Sequence, residues 1–85
     1  MHDFHLADTI YKTIMDYAAK NGLKKVTSAS IELGSMVEHG EEILPDNLDF
    51  NIKMLAEGGL ADGLKLNIVR SSGNAWTLKD IEGDK

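Results

Sequence analysis

The sequence predicts a small α/β (α+β) fold in which two helices pack on one face of a three-stranded sheet, in the order α-β-α-β-β. Two segments repeat apolar residues at helical spacing, and three others alternate apolar and polar residues as half-buried strands do. Glycine or proline marks most boundaries between these segments. Because 85 residues supply one hydrophobic core, we expect a single domain over residues 1–85.

The first helix is predicted over residues 4–21. Leu6, Ile10 and Ile14 fall on one stripe at helical spacing, which is typical of a helix that buries one face. Gly22 follows, and glycine takes the left-handed conformation that ends a helix without steric penalty.

The first strand is predicted over residues 25–35. Ala29, Ile31 and Leu33 alternate with polar residues, so they share one face of the sheet. The stretch MVEHGEEIL that follows, residues 36–44, is polar, acidic and interrupted by glycine, and it predicts a loop.

The second helix is predicted from Pro45 to about Glu57. Proline fits the first helical position, where its missing N–H is no loss. Leu48, Ile52 and Leu55 repeat at helical spacing, and a glycine pair then ends the run.

The last two strands are predicted over residues 64–71 and 75–82, joined as a hairpin. Gly73-Asn74 between them is one of the residue pairs that favour a tight hairpin turn. Counting outward from that turn pairs Val69 with Leu78, Ser71 with Trp76, and Leu66 with Ile81.

This register divides the apolar residues of the hairpin between two faces. Leu64, Leu66, Ile68 and Ile81 face the helices, whereas Val69, Trp76 and Leu78 form the opposite face. Two interpretations of Trp76 stay open: it belongs to an uncovered apolar interface, or it packs over its own hairpin.

Charge and composition exclude several classes of protein. The net charge is −5, with five acidic residues between Glu38 and Asp49, so we expect no nucleic-acid partner. The acidic segment is either a solvated loop or a surface for a basic partner. No apolar run approaches the ~20 residues of a membrane span, and no secretory signal begins the chain, so we expect a cytoplasmic protein without a membrane partner.

The motifs of enzymes are missing. With no cysteine, the chain has no disulfides, thiol nucleophiles or zinc sites of the CxxC type. It has no GxSxG, phosphate-binding glycine loop or HExxH motif, so it is predicted not to be an enzyme.

The opening residues MHDFH admit two interpretations. They are either an ordinary poorly ordered terminus or a metal site built on the amino terminus. The rest of the chain favours the second. It contains, in order, Met1-His2-Asp3, Leu6-Ala7 with Ile10, Lys25-Val26-Thr27, Ile31-Glu32-Leu33-Gly34, Leu48 with Phe50, and the run from Leu60 to Ile68. With these residues in this order, the chain resembles the hydrogenase nickel-incorporation family, HypA/HybF.

The resemblance implies a metallochaperone. Such proteins help deliver nickel to the large subunit of [NiFe]-hydrogenase, in some organisms to urease, and work with a maturation GTPase. The nickel is held at the amino terminus, which here implicates Met1, His2 and Asp3. Ni(II) favours nitrogen and oxygen donors, which the Met1 amine, the His2 backbone nitrogen and imidazole, and the Asp3 amide or carboxylate supply. His5 is a further candidate ligand because it is close in sequence, and His39 could contact a metal with Glu38 or Glu41, but both histidines are interpreted as solvated side chains.

The sequence departs from that family in three ways. Asp3 stands where the family usually has glutamate, and the loop after Gly34 is longer. The family's zinc domain is missing near residues 72–77, so we expect Ni(II) but no zinc. Two alternatives remain: a nickel carrier, or a non-metal interaction module from the same family that binds a partner or forms a homodimer.

Overall fold

The computed structural model describes residues 3–35, 37–38 and 41–85, and it confirms the predicted fold class. Two helices lie on one face of a three-stranded mixed sheet. The elements are α1 Asp3–Lys20, β1 Lys25–Leu33, β2 Val37–Glu38, β3 Glu41–Glu42, α2 Pro45–Ala56, β4 Lys65–Arg70 and β5 Trp76–Asp84. The helix and strand bounds lie close to the predicted ones, but the segment predicted as a loop contains β2 and β3, a short antiparallel pair.

The predicted hairpin between the last two strands is wrong. The strand order is β4-β1-β5, so β1 is central, parallel to β4 and antiparallel to β5. The reason is burial: Ala29, Ile31 and Leu33 of β1 are at most 1% exposed, whereas the apolar residues of β4 and β5 are partly buried. The strand with the most apolar inner face takes the position that has a neighbour on both sides.

Residues 71–75 cross the end of β1 instead of forming a hairpin. Ser71 N–H donates to the Leu33 carbonyl at 3.0 Å, directly after the last residue pair between β1 and β4. Gly34 N–H donates to the Ala75 carbonyl at 2.8 Å, and Ser35 N–H donates to the Gly73 carbonyl at 2.9 Å. The loop is therefore bonded to the residues that follow β1 before it enters β5.

The predicted face of Trp76 and Leu78 is wrong, because β5 contains a β-bulge. Ser30 pairs with Asp80 and the next residue, Ile31, pairs with Leu78, so Lys79 is an extra residue in β5. Such a residue reverses the alternation of side chains beyond it. Trp76, Leu78 and Ile81 consequently all pack against the core, although the first two were predicted on the opposite face.

The remaining face predictions are confirmed. Leu64, Leu66 and Ile68 lie on the core side, and Val69 lies on the open face with 58% of its surface exposed. The core is closed by α1 and α2, which pack mainly against each other; on the sheet, α1 contacts chiefly β5 and α2 contacts β4. The buried apolar residues are Leu6, Ala7, Ile10, Ile14, Ala18, Val26, Ala29, Ile31, Leu33, Ile43, Leu48, Ile52, Ala56, Ala61 and Leu64.

The topology brings the starts of both helices to one end of the molecule. A tight turn with Gly22 at φ 68° joins α1 to β1, so the chain reverses direction there. The 18 residues of α1 and the nine of β1 are each about 30 Å long, so α1 begins near the end of β1. Since β1 and β4 are parallel, α2 runs back along them and also begins at this end.

Candidate metal centre

The predicted nickel ligands stand directly before a well-anchored helix. Met1 and His2 lie outside the described residues, and Asp3 is the first residue of α1. Along α1, Leu6, Ala7 and Ile10 are at most 5% exposed and join the core. The fold therefore holds the chain firmly from the fourth residue after His2 onward.

His5 is the described histidine nearest to the terminus. Its side chain is exposed in the first turn of α1, and its carbonyl accepts a hydrogen bond from Thr9 Oγ1 at 3.0 Å. This agrees with its interpretation as a solvated histidine. His39, which was interpreted in the same way, lies outside the described residues.

The chemistry of the predicted donor set suits nickel. An amine, a backbone nitrogen and an imidazole close small chelate rings around one ion, and Ni(II) accepts such tetragonal arrangements. Within the described residues, no group of three histidine, aspartate or glutamate side chains is arranged to hold a metal ion. A nickel site at Met1, His2 and Asp3 therefore stays a prediction from the sequence.

Part of the acidic segment is already paired within the chain. Arg70 Nη2 donates to Glu42 Oε2 at 2.6 Å and joins β4 to β3, with both side chains about half exposed. Lys53 Nζ lies 3.3 Å from Asp49 Oδ2 on α2. Of the two interpretations of this segment, a solvated loop and a surface for a basic partner, neither is excluded by these pairs.

Of the two interpretations of Trp76, an uncovered apolar interface with Val69 and Leu78 is excluded. Trp76 and Leu78 pack against the core beneath α1, and Val69 is separated from them on the open face. That open face is mostly polar, and Ser28 Oγ donates to Glu82 Oε1 across it at 2.9 Å. Trp76 therefore packs inside its own domain, as the second interpretation had it, although not over a hairpin.

Sequence reasoning missed a small groove between α2 and β4. Asp46, Asp49, Leu66 and Ile68 line it together with Pro45. The signal was present in the sequence, since two carboxylates three residues apart share one side of a helix. The position of these two carboxylates beside β4 depends on the strand order, and the hairpin predicted at residues 73–74 gave the wrong order.

No helix among the described residues is long and apolar enough to cross a membrane.

Known proteins are similar to this chain over most of its length. The family model described as "Hydrogenase/urease nickel incorporation, metallochaperone, hypA" matches residues 1–79. The hydrogenase maturation factor HypA of Thermococcus onnurineus is 31% identical over 91 residues, which cover 98% of this chain and 63% of that protein. HypA of Thermococcus sibiricus is 32% identical over 90 residues, covering 96% and 62%.

The chain thus spans a little less than two thirds of the length of these curated relatives. Among solved structures, the solution structure of the Ni metallochaperone HypA from Helicobacter pylori superposes with a TM-score of 0.77. The match covers 99% of this chain and 98% of that one at 13% sequence identity. At so low an identity, the likeness is one of fold.

Proposed function

Because the chain belongs to the hydrogenase/urease nickel-incorporation family HypA, we propose that it carries Ni(II) at its amino terminus and passes the ion to a partner protein. The ion is the cargo of this protein. Met1, His2 and Asp3 would hold it, through the terminal amine, backbone nitrogen, imidazole and carboxylate groups. The observation that carries the proposal is the family match, which begins at residue 1 and so includes these residues.

The anchored helix supports this proposal. A chelate at a free terminus must order several backbone bonds, and each ordered residue costs roughly 1–2 kcal/mol of conformational entropy. Here the chain is helical from Asp3 onward, and Leu6 and Ala7 are already buried. The backbone of one proposed ligand, Asp3, is therefore already fixed by the helix, which lowers the entropy cost of binding nickel.

The proposed partners follow from the family. They are a maturation GTPase and the hydrogenase large subunit, or urease where that is the enzyme served, and we place the protein in the cytoplasm with them. We also propose that residues 1–85 form one nickel-binding domain without the family's zinc module, because the chain has no cysteine. The alternative, an interaction module without metal, loses its main support because Trp76 packs against the core.

Calorimetric titration of Ni(II) into the untagged protein tests this function. We expect one ion per chain, and His2→Ala should weaken binding at least about tenfold because it removes the imidazole ligand. His5→Ala is the matched control, the same substitution three residues away, and should leave the affinity unchanged. Acetylation of the amino terminus should act like His2→Ala, since it removes the amine donor.

The pH dependence adds a second criterion. The amine and imidazole bind nickel only when unprotonated, so affinity should fall as the pH is lowered. Equal binding by the His2→Ala variant and the unsubstituted protein, or no binding by either, would contradict the nickel proposal.

A further inference from the structure

One edge strand of the sheet, β4, has no bulge, glycine or proline that would interrupt pairing with another strand, and its charged residues Lys65 and Arg70 stand at its two ends. β4 keeps an unbroken register with β1, from Ser28 with Lys65 to Leu33 with Arg70. Within the described residues, no strand pairs with its outer edge. The opposite edge strand, β5, has the bulge at Lys79 and a glycine at position 83, which are typical protections of an edge.

The backbone of β4 has hydrogen-bonding groups free on this edge. Ser71, directly after β4, directs its N–H toward β1, because it donates to the Leu33 carbonyl. Backbone groups alternate in direction along a strand, so those of Leu66 and Ile68 point away from β1. An added strand would find its partners at these two residues.

The groove between α2 and β4 lies directly beside this edge. It has a volume of about 170 Å³, with Leu66 and Ile68 forming its apolar floor. Asp46 and Asp49 line it from the α2 side. A side chain that points toward the helices from a strand added to β4 would therefore meet apolar surface and two carboxylates.

One oxygen of Asp49 lacks a partner in this groove. Oδ2 is paired with Lys53, but Oδ1 is buried and has no hydrogen-bond donor among the described residues. Burying an acceptor without a hydrogen-bond partner is unfavourable. The Asp49 side chain as a whole is 35% exposed, so a cationic group in the groove can pair with the accessible part of this carboxylate, and such charged pairs form strong hydrogen bonds.

From these observations we propose that the outer edge of β4 binds an extended, basic segment of a partner protein as a fourth strand of the sheet. A Lys or Arg of that segment pairs with the carboxylate of Asp49, and the apolar side chains beside it lie over Leu66 and Ile68. The net charge of −5 favours a basic partner over an acidic one. The proposal goes beyond nickel binding and does not depend on it.

A second copy of this chain fits the same edge poorly. Antiparallel pairing of two β4 strands about Asn67 would place Ile68 of each copy opposite Leu66 of the other. It would also bring the Asp46 and Asp49 carboxylates of both copies toward the twofold axis. Like charges facing each other across a pairing are unfavourable, whereas a basic strand is attracted.

Two labelled peptides with blocked ends test the proposal by fluorescence anisotropy. The first is Thr-Val-Thr-Val-Thr-Lys-Thr-Val-Thr, which presents apolar residues and one lysine on the same face, and the second has Glu in place of Lys. We expect the lysine peptide to bind the unsubstituted protein at least about tenfold more tightly. Equal affinities, or no binding of the lysine peptide, would overturn the proposal.

A charge reversal sharpens the test. Asp49→Lys should reverse the preference, so that the glutamate peptide binds more tightly. Asp8→Lys is the matched control, because Asp8 is also paired with a lysine four residues later, Lys12, but lies on α1. It should keep the original preference; a reversal in both variants would mean that net charge alone governs binding and would contradict a site at Asp49.

Amide hydrogen exchange locates the peptide on the unsubstituted protein and needs no variant to fold. The amides of Leu66 and Ile68 should exchange more slowly when the lysine peptide is bound, and those of β5 should not change. Protection on β5, or on neither strand, would reject the β4 edge. Protection of β4 that grows with protein concentration, without peptide, would assign the edge to a homodimer and overturn the proposal.

Discussion

Gly34 lies where the loop of residues 71–75 crosses the end of β1, and only glycine leaves room for that loop. A Cβ atom at this position would lie 2.7 Å from the Gly73 carbonyl oxygen and 2.8 Å from the Ala75 carbonyl oxygen. Both obstacles are backbone atoms of the crossover loop, which is itself bonded to Gly34 and Ser35. Neither atom can move aside without breaking those hydrogen bonds, so glycine is required here for space.

We therefore expect Gly34→Ala to lower the free energy of unfolding by about 1–3 kcal/mol, the usual cost of forcing atoms into a filled site. Gly59→Ala is the control, because its Cβ would lie 3.4 Å from the Tyr11 hydroxyl oxygen, an ordinary contact. It should change stability by less than about 0.5 kcal/mol. Urea denaturation of the three proteins measures this difference, and equal stabilities would disprove the steric argument.

In the sequence, Gly34 stood out only as part of the family resemblance, and the steric reason for a glycine at this position was not visible. The requirement for glycine comes from a loop about 40 residues later in the chain, and local patterns carry no information about such a contact. The proposed ligands Met1, His2 and Asp3 are a similar case. Their chemistry is readable from the sequence, but binding by them stays a prediction.

At the scale of elements, the bulge in β5 decides which side chains enter the core. Lys79 is an extra residue, so Leu78 and Ile81 reach the same face although they are three positions apart. A strand without the bulge would direct one of them toward solvent. The extra residue therefore allows β5 to bury both.

Deleting Lys79 should move Trp76 and Leu78 to the open face and lower the free energy of unfolding by at least ~2 kcal/mol. Lys79→Ala is the control, because it keeps the extra residue and loses only a contact with Glu32 at 3.9 Å between two exposed side chains. The fluorescence of Trp76, the only tryptophan in the sequence, reports both stability and position. An unshifted emission in a stable deletion variant would contradict this role of the bulge.

The elements themselves were largely predictable, but the pairing of the strands was not. Apolar periodicity marked both helices and all three long strands within a few residues, because side-chain burial has a local period. The glycine and asparagine at positions 73–74 favoured a hairpin, yet the apolar inner face of β1 is buried best between two neighbours. Which of the two prevails depends on how all three strands pack together, and a local sequence pattern does not contain that information.

At the scale of the molecule, stability is concentrated in the central strand. β1 is hydrogen-bonded on both sides, and Ala29, Ile31 and Leu33 are almost completely buried. By contrast, the pair formed by β2 and β3 consists of two residues in each strand. Segments with few buried contacts open locally, while central strands open only with the whole domain.

Hydrogen exchange under native conditions should therefore show a gradient. The amides of residues 29–33 should exchange at least about tenfold more slowly than that of Glu42 in β3, a difference of ~1.4 kcal/mol or more. Uniform rates across β1 and β3 would show instead that the domain opens as one unit. The layer arrangement behind this gradient was predictable, since two amphipathic helices can cover one face of a small sheet.

The crossover at the end of β1 also has an evolutionary consequence. Both ends of the loop from Ser71 to Ala75 are fastened to β1, so the distance between them is set by the sheet and not by the loop itself. Residues gained or lost between those ends would leave the registers of β4 and β5 unchanged, and the entropy of closing a loop grows slowly with its length. We therefore expect this loop to accept inserted residues, up to a separately folded module, while the fold of the domain persists.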